Sequence, residues 1–532
     1  MKTHSIFTLL LLLLLMSCTF QKEHSKYTNS TLASAHPLAT EAGNQMYQKG
    51  GNAFDAAVAA GFALAVVEPS MSGLGGRLQA IFQTADLTIG GVDASTEIPK
   101  NYVPLDTKHP YGYPTIGIPG VVAGLVKLQK EHGKLKLATV IQPAINYAKE
   151  GFKLLPGEAR RHQSAKELLT EFKGSRFHFL KTDSTTYQTG EKWIQRDLAS
   201  VLEQIAQKGA AGFYEGTVAQ TIVEDVQKNG GILTLEDLKN YKALDARILN
   251  GKFRGTKIHA LYLPSFGAIT IQILQILDQI SPSISEEEWA MSVGKATEIA
   301  YQYRKYQSDS LTQILSYKNA EKIAQSFKTD YQKVASIETA KLPASWTAEM
   351  GHTSHLTAAD AEGNVVSLTQ TIGPNMGSKV ATQGLGFLYA VTMGGYLGNY
   401  QPGDRAQSHI TPTLFSEKGQ VILALGAAGG NRIVTAVTQV ADRYFSQKHT
   451  LEKSVFLPRV YPFQDSLWLE NHEGIRDLNA EINTKIQPVK MINQKARFGR
   501  VHAVALDATA NQWIGVADPD WEGTVSHWKI KN

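Results

Sequence analysis

The chain has 532 residues, 43% hydrophobic and 19% charged, with 45 Gly and 19 Pro, the balance of an ordinary folded protein able to bury a large core. Its 53 Lys and Arg offset 48 Asp and Glu to leave a net charge of +5, and no basic block with interleaved aromatics is present, so nucleic acid is set aside as a partner. The single cysteine excludes an internal disulfide and offers no thiolate cluster for zinc.

Lys2 precedes an apolar run from Ile6 to Met16 that includes unbroken leucines from Leu9 to Leu15. The run is too short to span a bilayer and has the size of a signal-peptide core. It ends in Leu15-Met16-Ser17-Cys18, which resembles a bacterial lipoprotein box, so residues 1–17 are expected to be removed and Cys18 to carry a lipid. An ordinary secretory signal with an incidental Cys18 is the alternative. On the first reading residues 18–30 form a polar tether, and the protein is exported and membrane-anchored, facing periplasm or exterior.

From about residue 31 the pattern is globular. Ala39 to Lys49 reads as a helix stopped by Gly50-Gly51, and Asn52 can cap a second helix over Ala53 to Val67 that Pro69 closes. The second helix is dense in alanine, which predicts close packing on all sides. Helical patterns recur over 121–151, 217–229 and 237–241, and over 295–307. From about residue 353 the texture changes to strands joined by tight turns. Thr353 to Ala359 and Val365 to Ile372 read as a hairpin. A two-residue turn flanked by Ala361 and Asn364 sets Thr353 opposite Ile372, with Thr371 diagonal to it. Further on, Gln420 to Leu425 reads as a buried strand running into Gly426-Ala427-Ala428-Gly429-Gly430-Asn431-Arg432 and a helix from Ile433 to Tyr444. Strand, glycine loop and helix make an anion-site geometry, because N–H groups at a helix start lack intrahelical acceptors.

Most familiar catalytic motifs are missing: there is no phosphate loop ending in Gly-Lys-Ser/Thr, no His-Glu-x-x-His helix and no Gly-x-Ser-x-Gly elbow. The 15 histidines show no metal-ligand spacing, and no cofactor or metal is expected. What the chain does carry, in order, is Gly50-Gly51-Asn52-Ala53-Phe54-Asp55-Ala56-Ala57, Val67-Glu68-Pro69, Ser72-Gly73-Leu74-Gly75-Gly76, Ile118-Pro119-Gly120-Val121, Thr353-Ser354-His355-Leu356, Gly363-Asn364-Val365-Val366-Ser367-Leu368-Thr369-Gln370-Thr371, Gly429-Gly430-Asn431-Arg432-Ile433 and Ala517-Asp518-Pro519. This series resembles the γ-glutamyltransferase family over about Thr31 to the end.

The resemblance implies an α/β (α+β) fold of four layers, the αββα sandwich of N-terminal nucleophile hydrolases, built from two subunits made by self-cleavage. The cut falls between His352 and Thr353, giving a large subunit 31–352, mostly helical with strands, and a small subunit 353–532. Thr353 is the implied nucleophile, Thr371 the hydroxyl that orients it, and Gly429 and Gly430 the oxyanion hole. The chemistry is coherent on its own terms. A threonine hydroxyl needs an adjacent base, and a chain terminus supplies one in its α-amine, with an ordinary pKa of about 7.7–8.0. Taken singly, Thr353 is any strand threonine and Gly429-Gly430 any tight turn.

The substrate pocket departs from the family. In Asp93-Ala94-Ser95-Thr96-Glu97-Ile98-Pro99, Ser95 stands where an arginine normally grips the γ-glutamyl carboxylate. Val391-Thr392-Met393-Gly394-Gly395 replaces the acidic stretch that holds the amino group, so Thr392 and Gly395 are substrate-side candidates without charge. Of a serine pair, Ser408 remains and the second is His409. Arg77 falls inside what is usually an all-glycine run, either as a relocated anion partner or as a surface or structural arginine. The expected function is a self-processing threonine amidohydrolase or acyltransferase acting on a small-molecule or peptide amide. Two alternatives stay open: an ordinary glutathione-type enzyme, and a catalytically inactive ligand-binding lipoprotein.

Overall fold

A computed structural model describes residues 25–104, 109–281, 286–303, 315–327, 337–339, 352–394, 399–464, 466–470, 489–492, 498–520 and 522–529. The leader with Cys18, and Gly395, lie outside the described residues. No described helix is long and apolar enough to cross a membrane.

Thirteen strands matter here. In chain order they are β1 (Asn29–Ser34), β2 (Arg77–Gln83), β3 (Ile89–Ala94), β4 (Leu244–Asp245), β5 (Ile248–Phe253), β6 (Thr256–Leu261), β7 (Ser354–Ala359), β8 (Val365–Thr371), β9 (Thr413–Glu417), β10 (Gln420–Ala428), β11 (Arg500–Asp507), β12 (Gln512–Ala517) and β13 (Thr524–Lys529). They form one sheet in the order β13-β1-β7-β8-β2-β3-β4 and another in the order β12-β11-β10-β9-β6-β5. The sheets lie face to face: Ser367 Oγ on β8 donates to the Leu425 carbonyl on β10 at 2.9 Å, and Thr357 Oγ1 on β7 donates to the His502 carbonyl on β11 at 3.0 Å. Helices cover both outer faces, so the four-layer αββα expectation holds.

Helix α1 (Pro37–Gln48) and helix α2 (Ala53–Val67) pack together on the outer face of the first sheet. Every residue of α2 is buried, as its alanine content predicts, because small side chains let neighbouring elements approach closely. Asn52 accepts from the N–H groups of Phe54 and Asp55, while Asp55 returns a bond to the Asn52 N–H, a capping box typically worth about 1 kcal/mol. The pattern over 121–151 is two helices, α3 (Val121–His132) and α4 (Leu137–Glu150), separated where Gly133 ends the first. They are followed by α5 (Pro156–Glu171). On the other sheet lie α6 (Gly267–Asp278), α7 (Glu286–Gln302) and α8 (Ile433–Phe445). The start of α7 precedes the expected Lys295, since the acidic Glu286-Glu287-Glu288 run belongs to its first turn.

Two further boundaries need correcting. The expected tether of 18–30 overlaps folded structure, because Asn29 and Ser30 already pair with β13 and Tyr27 is buried against Trp513. The β7–β8 hairpin has a five-residue connection. The Asp360 carboxylate accepts from the N–H groups of Glu362, Gly363 and Asn364 at 2.9, 3.0 and 3.0 Å, and Gly363 takes φ +102°. Ala359 therefore pairs with Val365, and the register slips by one residue from the expected one.

Candidate active site

That slip decides the geometry at the open end of the hairpin. Ser354 pairs with Gln370, the last pair of the ladder, and this register continued by one residue sets Thr353 across from Thr371. Thr371 in turn pairs with Arg77 on β2, and the β2–β3 register, which ends at Leu78–Ala94, sets Ser95 beside Arg77 when continued by one residue. Extended in this way, the registers align four sequence candidates in one row across adjacent strands, each step about 4.8 Å. Residues of this face on β8 point between the sheets: Ser367 reaches β10, and Thr369 Oγ1 sits 2.8 Å from His355 Nδ1.

Thr353 is 3% exposed and holds φ +124°, a backbone region that non-glycine residues adopt only under constraint. Thr371 Oγ1 accepts the Gly373 N–H at 3.0 Å, which aims its hydroxyl at the start of the following loop. His355 is structural. Its Nε2 meets Thr357 Oγ1 at 2.9 Å, its ring lies parallel to His502, and burial drives it down to about 3, so it stays neutral. Gly426 on β10 makes room for that ring, for a Cβ there would stand 2.3 Å from it.

β10 delivers the glycine pair. It ends at Ala428, opposite Arg500 on β11; Gly429 (φ +146°) and Gly430 (φ +61°) then turn the chain into one tight helical turn, Gly430–Arg432, and α8. Strand, glycine turn and helix appear as the sequence predicts. Arg500 links this corner to Thr353: its guanidinium lies 3.7 Å from Glu68 Oε1, while Glu68 Oε2 accepts from Ser354 Oγ at 2.5 Å.

Sequence reasoning missed this buried polar cluster behind the row. Glu68 caps the C-terminus of α2, and Arg161 on α5 reaches it at 3.3 Å. Arg161 also meets Glu158 at 2.8 Å, and Glu158 is bonded by Ser70 and His162. Burial pushes the Glu158 carboxyl up, but Arg161, His162 and Ser70 outweigh it and hold it at about 2. Burial raises the Glu68 carboxyl, against the pull of Arg161, Arg500 and Ser354. The signal was available: Val67-Glu68-Pro69 puts a carboxylate at the apolar C-terminal end of a buried helix, where it needs a cationic partner.

His352 is buried with neither ring nitrogen bonded, and burial together with Lys379, Arg432, Arg161 and Arg500 holds it well below its ordinary value. Lys379 stands at φ +65° on the loop after Thr371, with Nζ bonded to the carbonyls of Asn375 and Gly377; burial lowers it to about 8.

The substrate-side candidates among the described residues are buried or half-buried. Ser95 Oγ accepts from Gln79 at 3.1 Å and its carbonyl accepts the Tyr241 hydroxyl, so it faces protein. Thr392 is 2% exposed and its hydroxyl has no partner. Ser408 is held through its N–H on the Pro264 carbonyl at 2.9 Å, and His409 packs its ring against Phe266. Arg77 is no surface residue: it is 1% exposed and donates to the carbonyls of Val391 and Gln407. No cluster of three or more metal-ligating side chains occurs among the described residues.

Comparison with known proteins agrees with this architecture. The gamma-glutamyltranspeptidase family model matches residues 39–528. The capsule biosynthesis protein CapD proenzyme of Bacillus anthracis is 29% identical over 94% of this chain and 90% of its own length. The glutathione hydrolase proenzyme of Escherichia coli (strain K12) is also 29% identical, over 81% of this chain and 80% of its own. A crystal structure of cephalosporin acylase from Bacillus halodurans superposes with a TM-score of 0.84, covering 95% of this chain and 97% of that one at 23% identity, a likeness of fold. With a family model spanning nearly the whole globular region and the αββα layers in place, the chain belongs to the gamma-glutamyltranspeptidase family, as a divergent enzyme of the N-terminal nucleophile hydrolase type.

Proposed function

We propose that the protein cuts itself between His352 and Thr353 and then works as a threonine amidohydrolase or acyltransferase. The observation that supports this reading is the hairpin register, which ends at Ser354–Gln370 and leaves the buried Thr353, at a strained backbone position, next in line toward Thr371. In the precursor the Thr353 hydroxyl attacks the His352 carbonyl, the acyl group moves from nitrogen to oxygen and so frees the α-amine, and water cleaves the ester to release the hydroxyl and leave His352 with a terminal carboxylate. In turnover that amine takes the hydroxyl proton, the hydroxyl attacks an amide carbonyl, and the amine product leaves with the proton. Water or a second amine then removes the acyl group. The N–H groups of Gly429 and Gly430 support both tetrahedral oxyanions. Cys18 anchors the protein by its lipid in this reading. Mass analysis of the purified protein tests the reading: a fragment starting at Thr353 supports it, and a chain that stays whole on long incubation overturns it.

Two expected results follow from the buried cluster. Glu68 fixes Ser354, the residue after the strained Thr353, so Glu68→Gln weakens one charge-assisted bond and is expected to slow self-cleavage by roughly 10- to 100-fold. A time course on a denaturing gel reads this directly. The second concerns pH. Lys379, Arg432, Arg161 and Arg500 bear on His352 and hence on the adjoining Thr353 nitrogen, whereas Glu68 and Glu158 are already paired with the arginines. A cationic field disfavours the ammonium form, so the free base persists to lower pH. The acid limb of kcat/KM is expected below the usual α-amine range of about 7.7–8.0, and Lys379→Met should move it upward. A limb at or above 8 contradicts this.

A further inference from the structure

A cavity of about 420 Å³ opens in the helical layer outside the first sheet. Its walls come from the helix Lys173–Phe179, from Tyr187, from the segment 192–197 and from the turn at Gly386. None of its lining residues belongs to the β7–β8 hairpin or to the Gly429-Gly430 turn. The size falls within the roughly 300–1,000 Å³ typical of small-molecule sites. Phe177 and Ile194, two large apolar side chains that stay 60% and 40% exposed, line it together with Tyr187. Buried Trp193 braces Tyr187, with ring centroids 5.7 Å apart. Apolar surface left open in a concavity gains by being covered.

The polar lining is short of partners. Gln195 is 6% exposed, and its Nε2 donates to the Val66 carbonyl at 2.8 Å, which leaves Oε1 without a hydrogen-bond partner. The His178 side chain is 10% exposed, and its Nε2, 3.8 Å from Asp197 Oδ2, is unbonded as well. Burial lowers His178 below its ordinary value and favours the neutral ring. Leaving a buried acceptor and a neutral imidazole unpaired is costly, and a hydroxyl, which donates and accepts at once, suits both.

Charge sits at the same place. Gln195 precedes the helix Arg196–Lys208 without giving it a side-chain cap, so the first N–H groups of that helix lack an acceptor beside the cavity. Lys192 and Arg196 line it as exposed cations and form no ion pair among the described residues. Glu191, next to Lys192, is engaged by Lys181 at 2.8 Å. Asp197 is the lining carboxylate, so the two cations outnumber it.

We propose that this cavity binds an anionic saccharide: a sugar ring stacked on Phe177, hydroxyls bonded to Gln195, His178 and Asp197, and a carboxylate held by Lys192, Arg196 and the helix start. An anion without hydroxyls leaves Gln195 and His178 unsatisfied, and a neutral sugar leaves both cations unused. The site does not depend on the assignment of Thr353. It gives the enzyme a hold on a glycan apart from amide turnover.

The test is calorimetry on the purified protein with three probes. They are a tetrasaccharide alternating glucuronate with N-acetylglucosamine, the neutral N-acetylglucosamine tetramer, and cyclohexanecarboxylate, an anion without hydroxyls. The charged tetrasaccharide is expected to bind about tenfold or more tightly than either of the others. Lys192→Met combined with Arg196→Met should erase the preference over the neutral tetramer, and Phe177→Ala should weaken both sugars about fivefold. All three positions are exposed, so the variants should fold and keep the wild-type rate of amide turnover. No binding of the charged tetrasaccharide by wild type overturns the proposal. So does equal binding of the two tetrasaccharides, or cyclohexanecarboxylate binding as tightly as the charged one. Binding that neither Phe177→Ala nor the double substitution alters puts the sugar elsewhere and overturns it too.

Discussion

Thr353→Ala is expected to give a single uncut chain, and to lower amide turnover by on the order of 10⁶, the scale seen when a nucleophile is removed from a covalent hydrolase. In the proposed mechanism one hydroxyl serves both reactions, so both are expected to be lost together. The substitution keeps Cβ at a buried position and removes only the hydroxyl and a methyl, so the sandwich should still form; a thermal unfolding midpoint within a few degrees of wild type checks this. Thr353→Ser keeps a hydroxyl in the same row opposite Thr371 and should still cut, more slowly, since it lacks the methyl that fixes the rotamer. A Thr353→Ala chain that is cut at the same bond as wild type places the nucleophile elsewhere.

The parts of this site readable from sequence are those whose signal is local. Alanine density and the Asn52 cap announce α2, and Gly429-Gly430 after an apolar run announces a strand, a turn and a helix. The hairpin was legible but its register was not. The Asp360 carboxylate captures three N–H groups and lengthens the connection, a side-chain effect that a turn inferred from Glu362-Gly363 omits. The cost of that omission was one residue, enough to move Thr371 from diagonal to directly opposite Thr353. The Glu68, Arg161 and Arg500 cluster was hidden for another reason: its members come from α2, α5 and β11, and only the packed sandwich brings them together. Arg77 shows both limits. Its oddity within a glycine run was visible, while its burial and its carbonyl partners depend on segments hundreds of residues away.

The glycine pair gives a sharp test, because the two positions differ. Gly429 holds φ +146°, and a Cβ built on it would stand 2.8 Å from the Gly499 Cα, a backbone atom that cannot swing aside. Gly429→Ala must therefore move the turn and displace the N–H groups that the proposed mechanism assigns to the oxyanion; kcat is expected to fall by about 10²- to 10³-fold with KM little changed. Gly430 holds φ +61° and a Cβ there meets nothing within 4 Å. Gly430→Ala costs only the left-handed backbone, about 1–2 kcal/mol, and keeps its N–H in place, so kcat should stay within about tenfold of wild type. The measurement is steady-state kinetics on both self-cleaved variants. If Gly430→Ala proves as damaging as Gly429→Ala while both fold normally, crowding at Gly499 is not what sets the turn, and the oxyanion donors must be sought in another segment.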